Sequence, residues 1–473
     1  TEWYNFDVVD KYTYSIIPQY YSFVTQMKSE KWAALNLAME IYLRERNENS
    51  VSSNRWFFRG LNKGEKINLE LKQSNLNDLL KNGLKPNDDD DEDDPLTIND
   101  IIRAKGDYLF SLFKARYGQK EFDKMINDII LQNYHTTFTV DNLESVIMKF
   151  SGDTISKEID RWYYKTELPG FLIRDMQTYK VVDGEYTKYQ VHFKIANPQT
   201  VDGVVVININ LANKEQQQRG FNFGSNQQPD YTRNVFIRAG EAKEIGVAFT
   251  SEPARMNIFT NISENLPNNL IYEFSGFDET RKAAVIDTIK PYPLFTEVKN
   301  DNEYIVDNED DNFKFIQESN ESYLKSLIGK KEENRYKYTE IYFWNPPAVW
   351  NPVLRSGFYG KYIRSGMYTR SGEGERIAQF NGELPEAGYY DVYCHIFKFN
   401  LEWNREKRKP NYNFKIYNDD GAEEITLADE ELDEGWNYMG TFYISPQNAK
   451  VELTNKSIGK MIFADAVKWV RND

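Results

Sequence analysis

The sequence predicts a multidomain α+β protein: an α-helical region over residues 1–168, then two β-sandwiches over 169–297 and 298–473. Three observations carry this. The chain has 473 residues, too many for one core and enough for about three domains. Its first third repeats apolar residues at helical spacing. From about residue 172 the apolar period falls to two, as in half-buried strands.

Trp32, Leu35, Leu37, Met39, Tyr42 and Leu43 lie in a long segment of helix formers without Pro or Gly. Residues 88–94 are an unbroken Asp/Glu run closed by Pro95, which reads as a solvated loop. It has neither the turn glycine nor the bidentate Glu of an EF-hand, so calcium is not its expected ligand. Leu109, Phe110, Leu112 and Phe113 belong to a helix that stops at Gly118. Phe122, Met125, Ile126, Ile129 and Ile130 form one apolar stripe. Asp141 with Glu144 has the spacing of a capping box. It opens a helix whose Leu143, Val146, Ile147 and Phe150 face inward before Gly152 ends it.

In the first sandwich Tyr189, Val191, Phe193 and Ile195 alternate with Lys188, Gln190, His192 and Lys194. After the Asp202-Gly203 turn, Val205, Ile207, Ile209 and Leu211 make the next strand, with others expected at 233–238, 243–250, 255–260 and 269–274. Together these make an Ig-like sandwich, and His192 reads as an exposed strand residue. A polar stretch near 298–336 leads into the second sandwich, with runs at 389–399, 412–418, 438–444, 449–454 and 461–470. No internal repeat links the two.

The formal charge is −15, from 58 basic and 73 acidic residues, which argues against nucleic acid as a partner. One cysteine, Cys394, permits neither an internal disulfide nor a thiolate zinc site. The three histidines, His135, His192 and His395, are far apart in sequence, so no metal or cofactor is expected. No apolar run approaches the roughly 18–20 residues that span a bilayer. The chain begins at Thr1 rather than Met, the start expected of a processed product or fragment; an export signal or lipid anchor would then lie upstream.

Lys105-Gly106, Tyr117-Gly118, Phe150-Ser151-Gly152, Arg161-Trp162 and Leu168-Pro169 follow one another over about 70 residues. In that order they resemble the end of the catalytic domain in the aminopeptidase N family of gluzincin metallopeptidases. Upstream, Tyr14-Ser15-Ile16-Ile17-Pro18 followed by Gln19-Tyr20-Tyr21-Ser22 stands where the family has His-Glu-x-x-His-Gln-Trp-Trp-Gly. Eighteen residues separate Pro18 from Leu37, and Leu35-Asn36-Leu37-Ala38-Met39-Glu40-Ile41-Tyr42-Leu43 is similar to the segment carrying the third ligand. The resemblance therefore places Tyr14, Pro18 and Leu37 at the zinc ligands, Ser15 at the general base and Arg103 at the oxyanion-stabilising Tyr. Leu and Pro have no donor atom, phenol is a poor ligand near neutral pH, and Ser is no base for a zinc-bound water. Without the metal both nucleophile and Lewis acid are gone, which implies an inactive peptidase frame. Pro18 also strains the first helix. Two alternatives stay open: a plain helical domain, or a zinc aminopeptidase whose site lies elsewhere.

The last third is similar to the golvesin-type domain, a β-sandwich module of secreted bacterial enzymes described as carbohydrate-binding-like. The carrying blocks are Ile305-Val306-Asp307-Asn308, residues 384–393 (Leu-Pro-Glu-Ala-Gly-Tyr-Tyr-Asp-Val-Tyr), 435–443 (Gly-Trp-Asn-Tyr-Met-Gly-Thr-Phe-Tyr) and 464–470 (Ala-Asp-Ala-Val-Lys-Trp-Val). Tyr389, Asp391 and Tyr393 should point opposite to Tyr390 and Val392. Trp436 and Trp469 read as core. The loop from Trp344 to Pro352, with three prolines and Trp350, precedes Phe358 and Tyr359 and is expected to be a rigid exposed apolar surface. Trp344, Trp350, Phe358 and Tyr359 are therefore the binding candidates. Aromatics stack on sugars and also anchor protein interfaces, and protein contact is favoured here. Arg405, Lys407, Arg408 and Lys409 read as a solvated hairpin tip. The combined resemblance implies a protein of the Bacteroidota, outside the cytoplasm in the periplasm or at the cell surface. Its expected role is a scaffold or protein-binding subunit of an outer-membrane-associated assembly, with glycan binding as the alternative.

Overall fold

The computed structural model describes residues 26–47, 61–84, 96–134, 136–183, 186–212, 229–274, 276–280, 287–296, 302–317, 337–399 and 409–472. The chain divides into two compact units, Thr1–Glu167 and Leu168–Asp473. Tyr14, Ser15, Pro18, the 88–94 run, His135, Arg405, Lys407 and Arg408 lie outside the described residues.

The described part of the first unit holds helices α1 (Ala33–Asn47), α2 (Leu61–Gln73), α3 (Leu76–Asn82), α4 (Ile98–Tyr117), α5 (Gln119–Gln132), α6 (Val140–Ser151) and α7 (Ser156–Tyr164). Strands β1 (Gln26–Met27) and β2 (Thr137–Phe138) pair in parallel beside them. Thr97 and Asp100 close a reciprocal capping box at the start of α4, and Gly118 ends it at φ 88, a conformation costly for any residue with a Cβ. Helices α1 and α4 approach closely because Gly106 lacks a side chain; a Cβ there would lie 2.9 Å from the Ala38 Cβ. Tyr42 stacks on Phe110 with centroids 4.3 Å apart. The predicted stripe of α5 is inward, with Phe122, Met125, Ile126 and Ile129 buried.

Helix α6 is capped differently from the sequence expectation. Thr139 and Asn142 form its box, two residues earlier than Asp141 and Glu144. Glu144 reaches forward instead, accepting the Ile155 and Ser156 N–H groups at 2.9 and 3.0 Å at the start of α7. Phe150, expected inside, sits in the last turn of α6 and is exposed.

In the second unit the first sandwich pairs strands β3 (Leu172–Asp183), β4 (Tyr186–Asn197), β5 (Gly203–Leu211), β6 (Tyr231–Ile237), β7 (Glu241–Phe249), β8 (Pro253–Phe259), β9 (Asn269–Glu273), β10 (Asp278–Thr280) and β11 (Ile289–Tyr292). They form sheets of order β10-β3-β4-β7-β11 and β6-β5-β8-β9. The β-branched residues predicted to face inward do so: Val191, Ile195, Val205, Ile207 and Ile209 share one core with Phe193 and Ile258. His192 is half-buried rather than exposed, its Nε2 3.0 Å from Glu244 Oε1 on the neighbouring strand.

The second sandwich has β12 (Glu303–Asp307), β13 (Phe313–Gln317), β14 (Asn351–Leu354), β15 (Ser365–Arg370), β16 (Arg376–Asn381), β17 (Gly388–Ile396), β18 (Asn411–Asn418), β19 (Gly421–Ala428), β20 (Gly435–Ile444), β21 (Lys450–Thr454), β22 (Met461–Ala464) and β23 (Ala466–Arg471). Sheets β12-β23-β17-β20 and β13-β16-β21-β18-β19 face each other, and β14-β15-β22 forms a third. Trp469, Tyr390, Val392, Tyr412 and Ile416 fill the main core. The run 461–470, read as one strand, is two. It breaks at Asp465, so β22 pairs with β15 while β23 pairs with β12 and β17. One strand thereby crosses between sheets, and the buried Asp465 side chain marks the crossing.

The sandwiches are joined by backbone. Leu266 bridges Ile363 in parallel, with Leu266 N–H donating to Tyr362 O (2.9 Å) and Arg364 N–H to Leu266 O (2.7 Å). The Tyr362 ring lies where a Cβ on Gly170 would sit. No helix among the described residues is long and apolar enough to cross a membrane; strands are outside that statement.

Candidate functional site

The four binding candidates separate into different environments. Trp344 is 72% exposed. It packs edge-on against Phe343, with the Lys460 ammonium 4.9 Å above its ring. Trp350 and Phe358 are buried, which corrects the expectation that they line an exposed surface. The reason is local: Trp350 immediately precedes β14, and pairing of β14 with β15 carries the chain into the sandwich, where Trp350 joins the main core. Pro352 is tolerated because β14 is an edge strand. Phe358 stacks within a smaller cluster against Phe397 and Phe463. Tyr359 is half-buried and belongs to a different surface, described below.

In the helical unit, Leu37 is half-buried on α1. Arg103 does not face open space for an anion; its guanidinium pairs with Glu45 of α1. Asp107, one turn along α4, is pushed up to about 7 by burial and then by Glu45. Lys105 is lowered to about 7 by burial, and its carbonyl accepts the Trp162 indole N–H at 2.7 Å. Among the described residues no group of three or more His, Cys, Asp or Glu could hold a metal ion.

The most developed surface is the outer face of the β12-β23-β17-β20 sheet. Strand β17 alternates as predicted: Tyr390, Val392, Cys394 and Ile396 are buried, while Tyr389, Asp391, Tyr393 and His395 point the other way. Each outer residue faces a cross-strand partner on β20: Tyr389 with Tyr443, Asp391 with Thr441, Tyr393 with Tyr438 and His395 with Trp436. The rings meet edge to face at 5.2 Å (Tyr389–Tyr443), 5.5 Å (Tyr393–Tyr438) and 5.0 Å (His395–Trp436). Tyr389, Tyr438 and Tyr443 are 59%, 54% and 45% exposed, so the face is open.

A β-bulge puts these rings on one face. Along β20 the outer residues are Trp436, Tyr438, Thr441 and Tyr443, a spacing that simple alternation would split between two faces. The register shifts opposite Val392/Tyr393, and the extra residue at Met439-Gly440 restores the phase. Gly440 sits at φ 150, where a Cβ would also strike the Phe442 ring, so no other residue serves there. Trp436, expected in the core, is therefore half-buried on the outer face.

Polar groups run between the ring pairs. Thr441 Oγ1 donates to Asp391 Oδ1, and Tyr438 OH lies 2.7 Å from Thr441 Oγ1. Since the threonine has one proton and gives it to the carboxylate, the tyrosine is the donor in its own bond. Asn472 Nδ2 also donates to Asp391 Oδ1, at 2.9 Å. Lys468, opposite Tyr393 on β23, sits 5.1 Å above the Tyr393 ring and 4.9 Å above Trp436, and pairs with Glu303 at 3.3 Å.

One end of the face is locked by a buried pair. His395 Nδ1 lies 2.6 Å from Asp465 Oδ2, and the Tyr359 N–H is 3.2 Å from both Asp465 oxygens. Burial raises the Asp465 carboxyl, and the His395 contact opposes that. The Tyr359 ring closes this end at 5.2 Å from Trp436. Of the predicted candidates, only Tyr359 takes part. Tyr389, Asp391 and Tyr393 were legible by alternation, and the same alternation along β17 carries to His395; Trp436 and Asp465 were not, because their placement depends on the bulge and on the strand break.

Residues 329–471 match the Golvesin C-terminal domain family, in agreement with the sequence resemblance of the last third. Comparison with curated proteins gives no significant match. Among solved structures, the chain is similar to a Paenibacillus xanthan lyase at 15% identity, over 64% of this chain and 26% of that one, with a TM-score of 0.25. It is similar to Legionella pneumophila aminopeptidase A at 13% identity, over 37% and 18%, with a TM-score of 0.21. For Bacteroides uniformis β-glucuronidase 2, solved as a calcium-binding mutant, the values are 11%, 65% and 30%, with a TM-score of 0.19. The chain spans less than a third of each of these proteins. Likeness at these scores carries no functional argument.

Proposed function

We propose that this chain is a non-catalytic glycan-binding protein acting outside the cytoplasm, with the outer face of the β12-β23-β17-β20 sheet as its platform. The observation that carries the reading is the ladder of ring pairs with Asp391 and Thr441 between them. A sugar ring has C–H faces that suit the negative face of an aromatic ring, and hydroxyl edges that need hydrogen-bonding partners. Here both kinds of group alternate along one open face. From Tyr389 to His395 the strand runs six residues, about 20 Å at ~3.3 Å each, a length suited to an oligosaccharide. The golvesin-type match supports an extracytoplasmic setting.

The double variant Tyr389→Ala/Tyr443→Ala is expected to bind at least about tenfold more weakly in affinity gel electrophoresis, the loss of two ring contacts. Its melting temperature should stay near that of the native chain, since both rings are exposed. Unchanged retardation by every polysaccharide that retards the native chain would sink the reading.

In this reading the helical unit performs no metal-dependent chemistry. The support is the aminopeptidase N resemblance together with a Leu37 that has no donor and an Arg103 engaged by Glu45. Metal analysis of the purified chain is expected to find no stoichiometric zinc; zinc together with chelator-sensitive peptide hydrolysis would overturn this part. A second reading, a protein partner in a surface or outer-membrane assembly, is favoured by a separate patch. Trp344 (72% exposed), Tyr342 (57%) and Val349 (45%) stand there on the rigid Pro346-Pro347 loop.

A further inference from the structure

Resting on the glycan reading, we propose that this face takes an uncharged glycan and that Asp391 is the residue selecting it. The charges decide the class. Lys468, which pairing with Tyr393 places on this face, is committed to the Glu303 carboxylate, and Arg471, across from the inward Tyr390, is committed to Glu386. Asp391 is different. Its Oδ1 accepts from Thr441 and Asn472, and no described residue donates to Oδ2. The carboxylate is thus oriented by two donors while one oxygen keeps its acceptor capacity, between the Tyr389–Tyr443 and Tyr393–Tyr438 pairs.

A sugar hydroxyl lying across the rings meets that oxygen as a donor, and a hydrogen bond to a charged acceptor is among the stronger ones. A uronate or sulfate ester would bring a like charge to the same place. The chain's net charge of −15 adds a weaker repulsion of polyanions, reduced by salt over a Debye length of about 10 Å at 0.1 M. A protein ligand would gain less from the site, since the Asp391 line leaves the centre of the face polar where an interface core is depleted of charge.

The test uses the full chain and two panels. One holds neutral polysaccharides (β-glucans, mannan, galactan), the other acidic ones (polygalacturonate, alginate, chondroitin sulfate), each measured by affinity electrophoresis and calorimetry at low and high salt. At least one neutral polymer is expected to bind with little salt dependence, and the acidic panel to bind at least about tenfold more weakly at low salt. Asp391→Asn, which keeps shape and the Thr441 bond, is expected to lose about tenfold toward the neutral polymer and to narrow the gap to the acidic ones. Circular dichroism checks that the variant is folded, and Asp391→Ser is the second variant if it is not. If acidic polymers bind the native chain best and lose binding with Tyr389→Ala/Tyr443→Ala, the inference fails while the glycan reading stands. If neither panel binds, both fail. Neutral binding indifferent to both Asp391 variants removes Asp391 from its role.

Discussion

Replacing Trp469 by alanine is expected to destabilise the second sandwich by about 3–5 kcal/mol, the range for emptying a large aromatic from a packed core. Trp469 is 0% exposed on β23, the strand held between β12 and β17. Its six-membered ring fills the space that Gly382 leaves; a Cβ there would lie 3.2 Å from the ring. Neighbours packed this tightly on β-strands cannot collapse into the hole without breaking ladder hydrogen bonds. Among the described residues the indole nitrogen has no hydrogen-bond partner, so Trp469→Phe, which keeps most of the ring and removes that orphan, should lose much less than the alanine variant. Urea unfolding of the full chain, with hydrogen exchange read on β17 and β23, separates the two outcomes. An alanine variant as protected as the native chain would refute the packing account. Trp350→Ala should behave like Trp469→Ala, since Trp350 shares that core. Trp344→Ala should shift stability by no more than about 0.5 kcal/mol.

That contrast shows what a linear pattern can and cannot carry. Where one element's own period decides burial, the residues announced it: the stripe on α5, the stops at Gly118 and Gly152, the alternation of β4, β5 and β17. Where burial depends on a distant partner, they did not. Trp344 and Trp350 sit in the same proline-rich loop, yet only Trp350 is carried inward, because β14 finds β15. The inserted residue at Met439-Gly440 has no signature beyond a glycine, and without it Trp436 reads as core. Asp465 looks like a polar interruption in a strand and is in fact the hinge between two sheets and the partner of His395. So the sandwich of the last third was legible, half of its outer face was legible, and the end of that face was not.

The same buried carboxyl region should make the second sandwich less stable as the solution becomes more alkaline. Asp307, at the end of β12, is buried and accepts the Asn308 N–H at 2.7 Å. Burial first, then the Asp465 carboxylate, raises it from its ordinary 3.8 to about 9. The native state therefore keeps a proton that the unfolded chain has already released. Because the folded state binds more protons in this window, the slope of unfolding free energy with pH is negative. The contribution is fully present below about pH 4, falls through the window, and is gone above about pH 9. Asp465, raised in the same direction, adds to the slope. In the helical unit Asp107 is also raised and Lys105 lowered, so the raw pH profile of the whole chain mixes signs. A difference measurement removes them. The stability of Asp307→Asn minus that of the native chain is expected to grow steadily from pH 5 to pH 9, because the amide has no proton to lose. A flat difference for Asp307→Asn would mean that the Asp307 carboxylate is already ionised in the native state and that the strand end at β12 tolerates two adjacent negative charges.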